Sequence, residues 1–145
     1  MYVTAGDPEA FWLARTARVM VVTSRALDEL LEADVVPDAL VGSDRDPAEH
    51  VDAEVLPWRP PLLVRTQGTS GGRYETSSGG AGRFAAVEAL GLAGDAYGAG
   101  DSFAAGLTFA LASGFEVERS LAFAARCGAA CASGRGPYAG QWDGV

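Results

Sequence analysis

A glycine-rich turn, Gly98-Ala99-Gly100-Asp101, stands directly ahead of a long run with helical spacing. Gly98, Ala99 and Gly100 carry almost no side chain. The N–H groups of a first helical turn have no acceptor within the helix, and the helix dipole adds partial positive charge there. Small residues let an anion such as a phosphate reach that backbone. Asp101 sets a carboxylate beside this anion site. Repulsion from a bound phosphate makes that placement costly, so it suits a group that accepts a proton from an attacking hydroxyl. It equally suits plain complementation of a helix N-terminus, where carboxylates are favoured. The stretch is not a Walker loop, because no Gly-Lys-Ser/Thr follows. Nor is it a dinucleotide fingerprint, because it comes late in the chain and lacks the acidic residue expected about 20 residues on.

A second glycine-rich element lies upstream. Leu63-Val64-Arg65-Thr66 runs as a strand into Gln67-Gly68-Thr69-Ser70-Gly71-Gly72, a Thr-x-Gly-x-x-Gly pattern. Thr66 offers a hydroxyl, and Gly68 and Gly71 permit close backbone approach to a ligand. A hairpin turn would use the same residues.

These segments need elements to hold them. Glu9–Arg18 reads as a short helix. Arg18–Thr23 is a compact apolar run rich in β-branched residues, hence a buried strand. Ser24–Glu32 has helical spacing, with Leu27, Leu30 and Leu31 on one face and Ser24 as N-cap. Ala39–Ser43 is a second strand, and Asp46-Pro47-Ala48-Glu49 a helix start with proline in the first turn. Pro57, Pro60 and Pro61 mark a loop before a third strand, Leu62–Thr66. Gly71–Thr76 pairs beside it as a hairpin arm, and 77–82 is a loop. Phe84–Leu90 suits strand or helix. From Gly98 the chain is helical, with Phe103, Leu107, Ala110 and Leu111 in one stripe and Gly114 as terminator. Val117–Ala132 is a second helix, closed by Gly134, Gly136 and Pro137. Strands alternating with helices predict a layered α/β fold with a mainly parallel sheet.

Composition narrows the function classes. The chain has 145 residues, 48% of them apolar, and a net charge of −8. That length predicts one domain over 1–145, able to bury a core. Acidity, with a pI near 4.5, argues against nucleic-acid and anionic-membrane partners. No apolar run approaches the length of a membrane span. Met1–Pro8 shows neither a basic nor an apolar signal region, so a cytoplasmic location is expected. Cys127 and Cys131 are one helical turn apart, a poor spacing for a disulfide, and read as small buried apolar residues. His50 reads as a surface residue on a helix. Trp12, Trp58 and Trp142 are scattered and read as packing residues.

Taken in order, the two glycine motifs resemble the ribokinase-like, PfkB-type carbohydrate kinase family. Asp95-Ala96-Tyr97-Gly98-Ala99-Gly100-Asp101 matches the family's Asp-Thr-x-Gly-Ala-Gly-Asp, and Ser102–Leu107 continues its Asp-x-Phe-x-x-Gly run. Thr66, Gly68 and Gly71 match its upstream Thr-x-Gly-x-x-Gly. The resemblance covers roughly residues 15–140. It implies a Rossmann-type layered fold, truncated on its N-terminal side, and a phosphotransferase that moves the γ-phosphoryl group of ATP to a hydroxyl of a sugar or nucleoside-like substrate. By resemblance Asp101 is the base and Gly98, Ala99 and Gly100 form the anion hole. Thr66, Gly68 and Gly71 lie along the nucleotide, Mg2+ accompanies it, and Asp95 helps hold a monovalent cation such as K+. Three departures qualify the match. Ala96 replaces a threonine; no Asn-x-x-Glu pattern for magnesium occurs, the corresponding region holding Thr23-Ser24-Arg25 with Asp28 and Glu29; and the length is about half that of such kinases. The missing half carries most sugar contacts in the family. The alternative is a non-catalytic nucleotide-binding or interaction remnant. A sheet cut within a domain exposes an edge, so self-association or a separate N-terminal half is expected to cover it.

Overall fold

The computed structural model describes residues 1–88 and 96–141. Its contacts divide into two compact units, residues 1–68 with 72–83, and residues 69–71 with 84–145.

A mixed sheet of six strands organises the first unit, in the order β1 (Tyr2–Val3), β2 (Val21–Thr23), β3 (Ala39–Ser43), β4 (Leu62–Thr66), β5 (Gly72–Thr76) and β6 (Ala81–Phe84). β1 to β4 are mutually parallel, and β5 returns antiparallel to β4. Parallel register aligns Val3, Val22, Leu40 and Leu63 in a row across the sheet. Helices α1 (Pro8–Ala14) and α2 (Leu27–Glu32) bring Phe11, Ala14 and Leu30 into the same buried cluster. Burying a leucine or phenylalanine there contributes about 1.5–3 kcal/mol each. Val21, Ala39, Leu62 and Val64 are buried as well, so these strands are apolar on both faces, as parallel strands usually are.

Asp7 caps α1, its carboxylate accepting from the Ala10 N–H at 2.9 Å. The helix stops at Ala14, short of the expected Arg18. Arg15 turns away to pair with Asp38 at 2.7 Å, and Asp38 also accepts from the Met20 N–H. β2 is correspondingly shorter than the apolar run. Ser24 does not cap: it opens a 3₁₀ turn, Ser24–Ala26, and its hydroxyl donates to the Glu49 carbonyl at 2.8 Å. Pro47–Glu49 is a single 3₁₀ turn capped by Asp46, and His50, though exposed, lies just past it in extended backbone. Residues 77–82 are not all loop, since Ala81 already enters β6.

The second unit holds α3 (Ala99–Ala112) and α4 (Val117–Ala132). Both are alanine-rich, which favours helix. They pack antiparallel: Gly106 faces Cys127, and Gly128 faces Ala99 and Phe103. A Cβ on Gly106 would sit 2.7 Å from the Cys127 sulfur, so glycine lets the helices close. Gly114, at φ +78°, ends α3. The Phe115 N–H reaches the Ala110 carbonyl and the Gly114 N–H the Leu111 carbonyl, a Schellman arrangement. Among the described residues no helix is long and apolar enough to cross a membrane.

Candidate functional site

In the second unit, Gly98 is the N-cap of α3 and adopts φ +82°, ψ −4°, a left-handed conformation open to glycine and costly for others. No side chain caps the helix. The Ser102 N–H bonds to the Gly98 carbonyl at 2.9 Å, and the Ala99 N–H to the Ala96 carbonyl at 3.1 Å. A Cβ on Gly98 would meet Pro137 at 2.7 Å, whereas one on Gly100 would meet nothing within 4 Å. The turn is thus closed on its Gly98 side and open on its Gly100 side. Asp101 is exposed in the first turn.

The end of α4 and the segment after it hold this turn. The Cys131 thiol, fully buried, lies 3.7 Å from the Tyr97 carbonyl and 3.6 Å from that of Pro137. The Gln141 amide donates to the Ser102 hydroxyl at 2.9 Å. Cys127 is partly exposed and Cys131 buried; both are free thiols, and burial pushes the Cys127 thiol up. Neither the glycine spacing nor the Cys131 position in sequence signals this strap, which depends on chain returning after a whole helix. Asp95 and Trp142 lie outside the described residues.

In the first unit, Thr66 ends β4 and its hydroxyl donates to the Gly42 carbonyl at 3.2 Å. Gly68 follows at φ +61°, and a Cβ there would lie 2.5 Å from an Arg45 guanidinium nitrogen. Gly71 belongs to the second unit. At φ +81°, its Cβ would overlap the Phe84 carbonyl oxygen and lie 2.7 Å from the Ala86 nitrogen.

Sequence reasoning passed over Asp44, just beyond β3. Its carboxylate accepts two hydrogen bonds from Arg73, at 2.8 and 3.0 Å, and one from Gln67 at 2.9 Å. His50 Nδ1 is 3.7 Å away. The one available signal was position, at the carboxyl end of a parallel strand, where α/β folds bind ligands. The Arg73 hydrogen bonds, helped by Gln67 and against some desolvation, hold the Asp44 carboxyl at about 2. A pKa depressed by folding stabilises above the unfolded value, near 3.8, and that stability is lost as pH falls through about 2. Solvent screening reduces the effect to about 1 kcal/mol. Asp44→Asn should therefore narrow the stability gap between pH 6 and pH 2.5, measured by urea unfolding at both.

Trp12 is largely exposed, its indole donating to the Ala33 carbonyl at 2.9 Å, while Trp58 packs against the core. Among the described residues no group of three or more His, Cys, Asp or Glu side chains could hold a metal ion. The carboxylate nearest the strand ends, Asp44, is committed to Arg73.

A mixed sheet with parallel strands β1–β4, α1 and α2 packed on it, and a helical pair opened by a left-handed glycine turn form a ribokinase-like α/β fold. The family model for pfkB family carbohydrate kinases matches residues 13–143, and the chain belongs to that family. Similar solved structures include a nucleoside kinase of Methanocaldococcus jannaschii, 20% identical, with a TM-score of 0.73 over 97% of this chain and 51% of that one. Another is the Burkholderia thailandensis nucleoside kinase in complex with inosine, 19% identical, with a TM-score of 0.73 over 97% and 52%. A third is an E. coli protein described as a ribokinase II, in complex with ATP and Mg2+, 21% identical, with a TM-score of 0.66 over 86% and 45%. The chain spans about half the length of these structures. No curated protein matches it.

Proposed function

We propose that this chain provides the phosphoryl-transfer part of an ATP-dependent kinase whose acceptor is a hydroxyl of a sugar or nucleoside-like compound. The observation that carries the reading is the α3 N-terminus: a left-handed, uncapped glycine turn, open at Gly100, with the exposed carboxylate of Asp101 in its first turn. Backbone N–H groups and the helix dipole would stabilise charge on the transferring phosphoryl group, and Asp101 would accept the hydroxyl proton. Phosphoryl transfer asks little more of protein groups than position and charge. Mg2+ carried on the nucleotide phosphates would neutralise their charge. Thr66, Gly68 and Gly71 are proposed to lie along the nucleotide, and Asp95 to help bind a monovalent cation. Membership of the pfkB family, the inosine held by one similar structure and the ATP held by another support the donor and acceptor classes.

Calorimetric titration of the chain with MgATP tests the nucleotide half of the reading. Micromolar to millimolar binding is expected, and Gly100→Asp should weaken it about tenfold or more by placing a carboxylate where the phosphate sits. Gly100 opens into free space, so the fold of that variant should survive. A folded chain that binds no MgATP would overturn an autonomous nucleotide site. Binding without turnover on any sugar or nucleoside would favour a nucleotide-binding module.

A further inference from the structure

In this acidic chain, basic side chains converge at the carboxyl ends of β3 and β4. Arg45 lies two residues beyond β3, Arg73 is the second residue of β5 and Arg83 lies on β6. Side-chain hydrogen bonds link them: Arg83 donates to Gln67 at 2.8 Å, Gln67 donates to Asp44 at 2.9 Å, and Arg73 grips Asp44 with both arms. Arg45 lies against Gly68, the residue after Gln67, and its guanidinium has no hydrogen-bond or ion-pair partner among the described residues. Other acids nearby are engaged elsewhere. Glu75 pairs with buried Arg65 at 2.6 Å, and Glu49 pairs with Arg25 at 2.5 Å, with Asp46 at 4.0 Å from the same arginine. His50 adds further positive charge when protonated. Asp44 thus fixes Arg73 directly and Arg83 through Gln67, while the Arg45 guanidinium stands beside Gly68 with its charge uncancelled.

We propose that Arg45, Arg73 and Arg83 form a binding face for a chain of phosphate groups. A guanidinium has five N–H donors, and the bonds seen here leave several unused on each arginine. Guanidinium groups match phosphate oxygens in geometry as well as charge. Gly68 keeps the approach to Arg45 free of side chain. The identification of the phosphate chain as that of a nucleotide rests on the kinase reading. The affinity for phosphate does not.

The test uses the full chain and three probes: ATP, adenosine and inorganic tripolyphosphate, titrated calorimetrically at low salt. Tripolyphosphate should bind, and Arg45→Ala and Arg83→Ala should each weaken it about tenfold, with Arg45→Lys intermediate. Adenosine binding should not change. Both arginines are exposed, so these variants should fold as the parent does, checked by circular dichroism. Parallel losses for ATP and tripolyphosphate would identify the phosphate tail of a nucleotide as the ligand. A loss for tripolyphosphate alone would identify free polyphosphate. Equal tripolyphosphate affinity in parent and variants, or none in the folded parent, would overturn the proposal. Failure of sugar or nucleoside phosphorylation with the arginine effect intact would remove only the kinase reading.

Discussion

With Asp101 as the proposed base, Asp101→Asn should lower phosphoryl transfer to the acceptor hydroxyl by about 10²- to 10⁴-fold, the usual weight of a positioned general base. The amide keeps the shape of the side chain and loses its ability to take a proton. Affinity for MgATP should hold or rise slightly, because a negative charge leaves the neighbourhood of the phosphates. Asp101 is exposed at the start of α3, so little folding stability is at stake. Removing a carboxylate from a helix N-terminus costs about 0.3–1 kcal/mol. Turnover and binding are therefore expected to separate. The two are read by a coupled kinase assay and by calorimetry on the same protein. A variant as active as its parent would reduce Asp101 to helix-end complementation, the other role its position allows.

Gly71→Ala should produce the largest loss of stability among the motif glycines. Its φ of +81° is left-handed, costing about 1–2 kcal/mol for a residue with a Cβ. The added carbon would also overlap the Phe84 carbonyl and crowd the backbone of Ala85 and Ala86. Backbone cannot swing aside as a side chain can, so overpacking adds about 1–3 kcal/mol. Together these give about 2–5 kcal/mol, visible in urea unfolding. Gly100→Ala is the matched control: nothing lies within 4 Å of its Cβ, and its change should stay within about 0.5 kcal/mol. Equal stability of the two variants would show that the Thr69–Gly71 segment tolerates displacement from residues 84–86. Gly71 is thus under a packing constraint whether or not it also lies along a nucleotide.

Elements whose cause is local were legible from the residues. β3 at Ala39–Ser43, β4 at Leu62–Thr66 and α4 at Val117–Ala132 fall where apolar runs and helical spacing placed them. Gly98 ahead of α3 and Gly114 after it act as the punctuation their conformational freedom suggests. Other readings failed where a distant partner intervened. Ser24 has the right type and place for an N-cap, but Glu49 takes its hydroxyl, because β2 and the turn after β3 lie side by side. The helix from Glu9 ends at Ala14, where the next N–H groups, of Thr16 and Ala17, turn to carbonyls three residues back, and the Arg15 side chain pairs with Asp38 beyond the helix. Ala81–Phe84, short and glycine-containing, is a strand because it pairs beside β5.

By itself the sequence determined the class of fold, the helix that Gly98 opens, and the carboxylate in its first turn, since each follows from residue types within one turn or strand. Only the tertiary structure decided the rest. Strand register gathers Asp44, Gln67, Arg73 and Arg83 from four separate segments, the end of α4 and the chain returning after it set Cys131 and Gln141 against the glycine turn, and the crowding at Gly71 comes from residues 84–86. Such groupings depend on which distant segments become neighbours, and no local pattern of side chains encodes that.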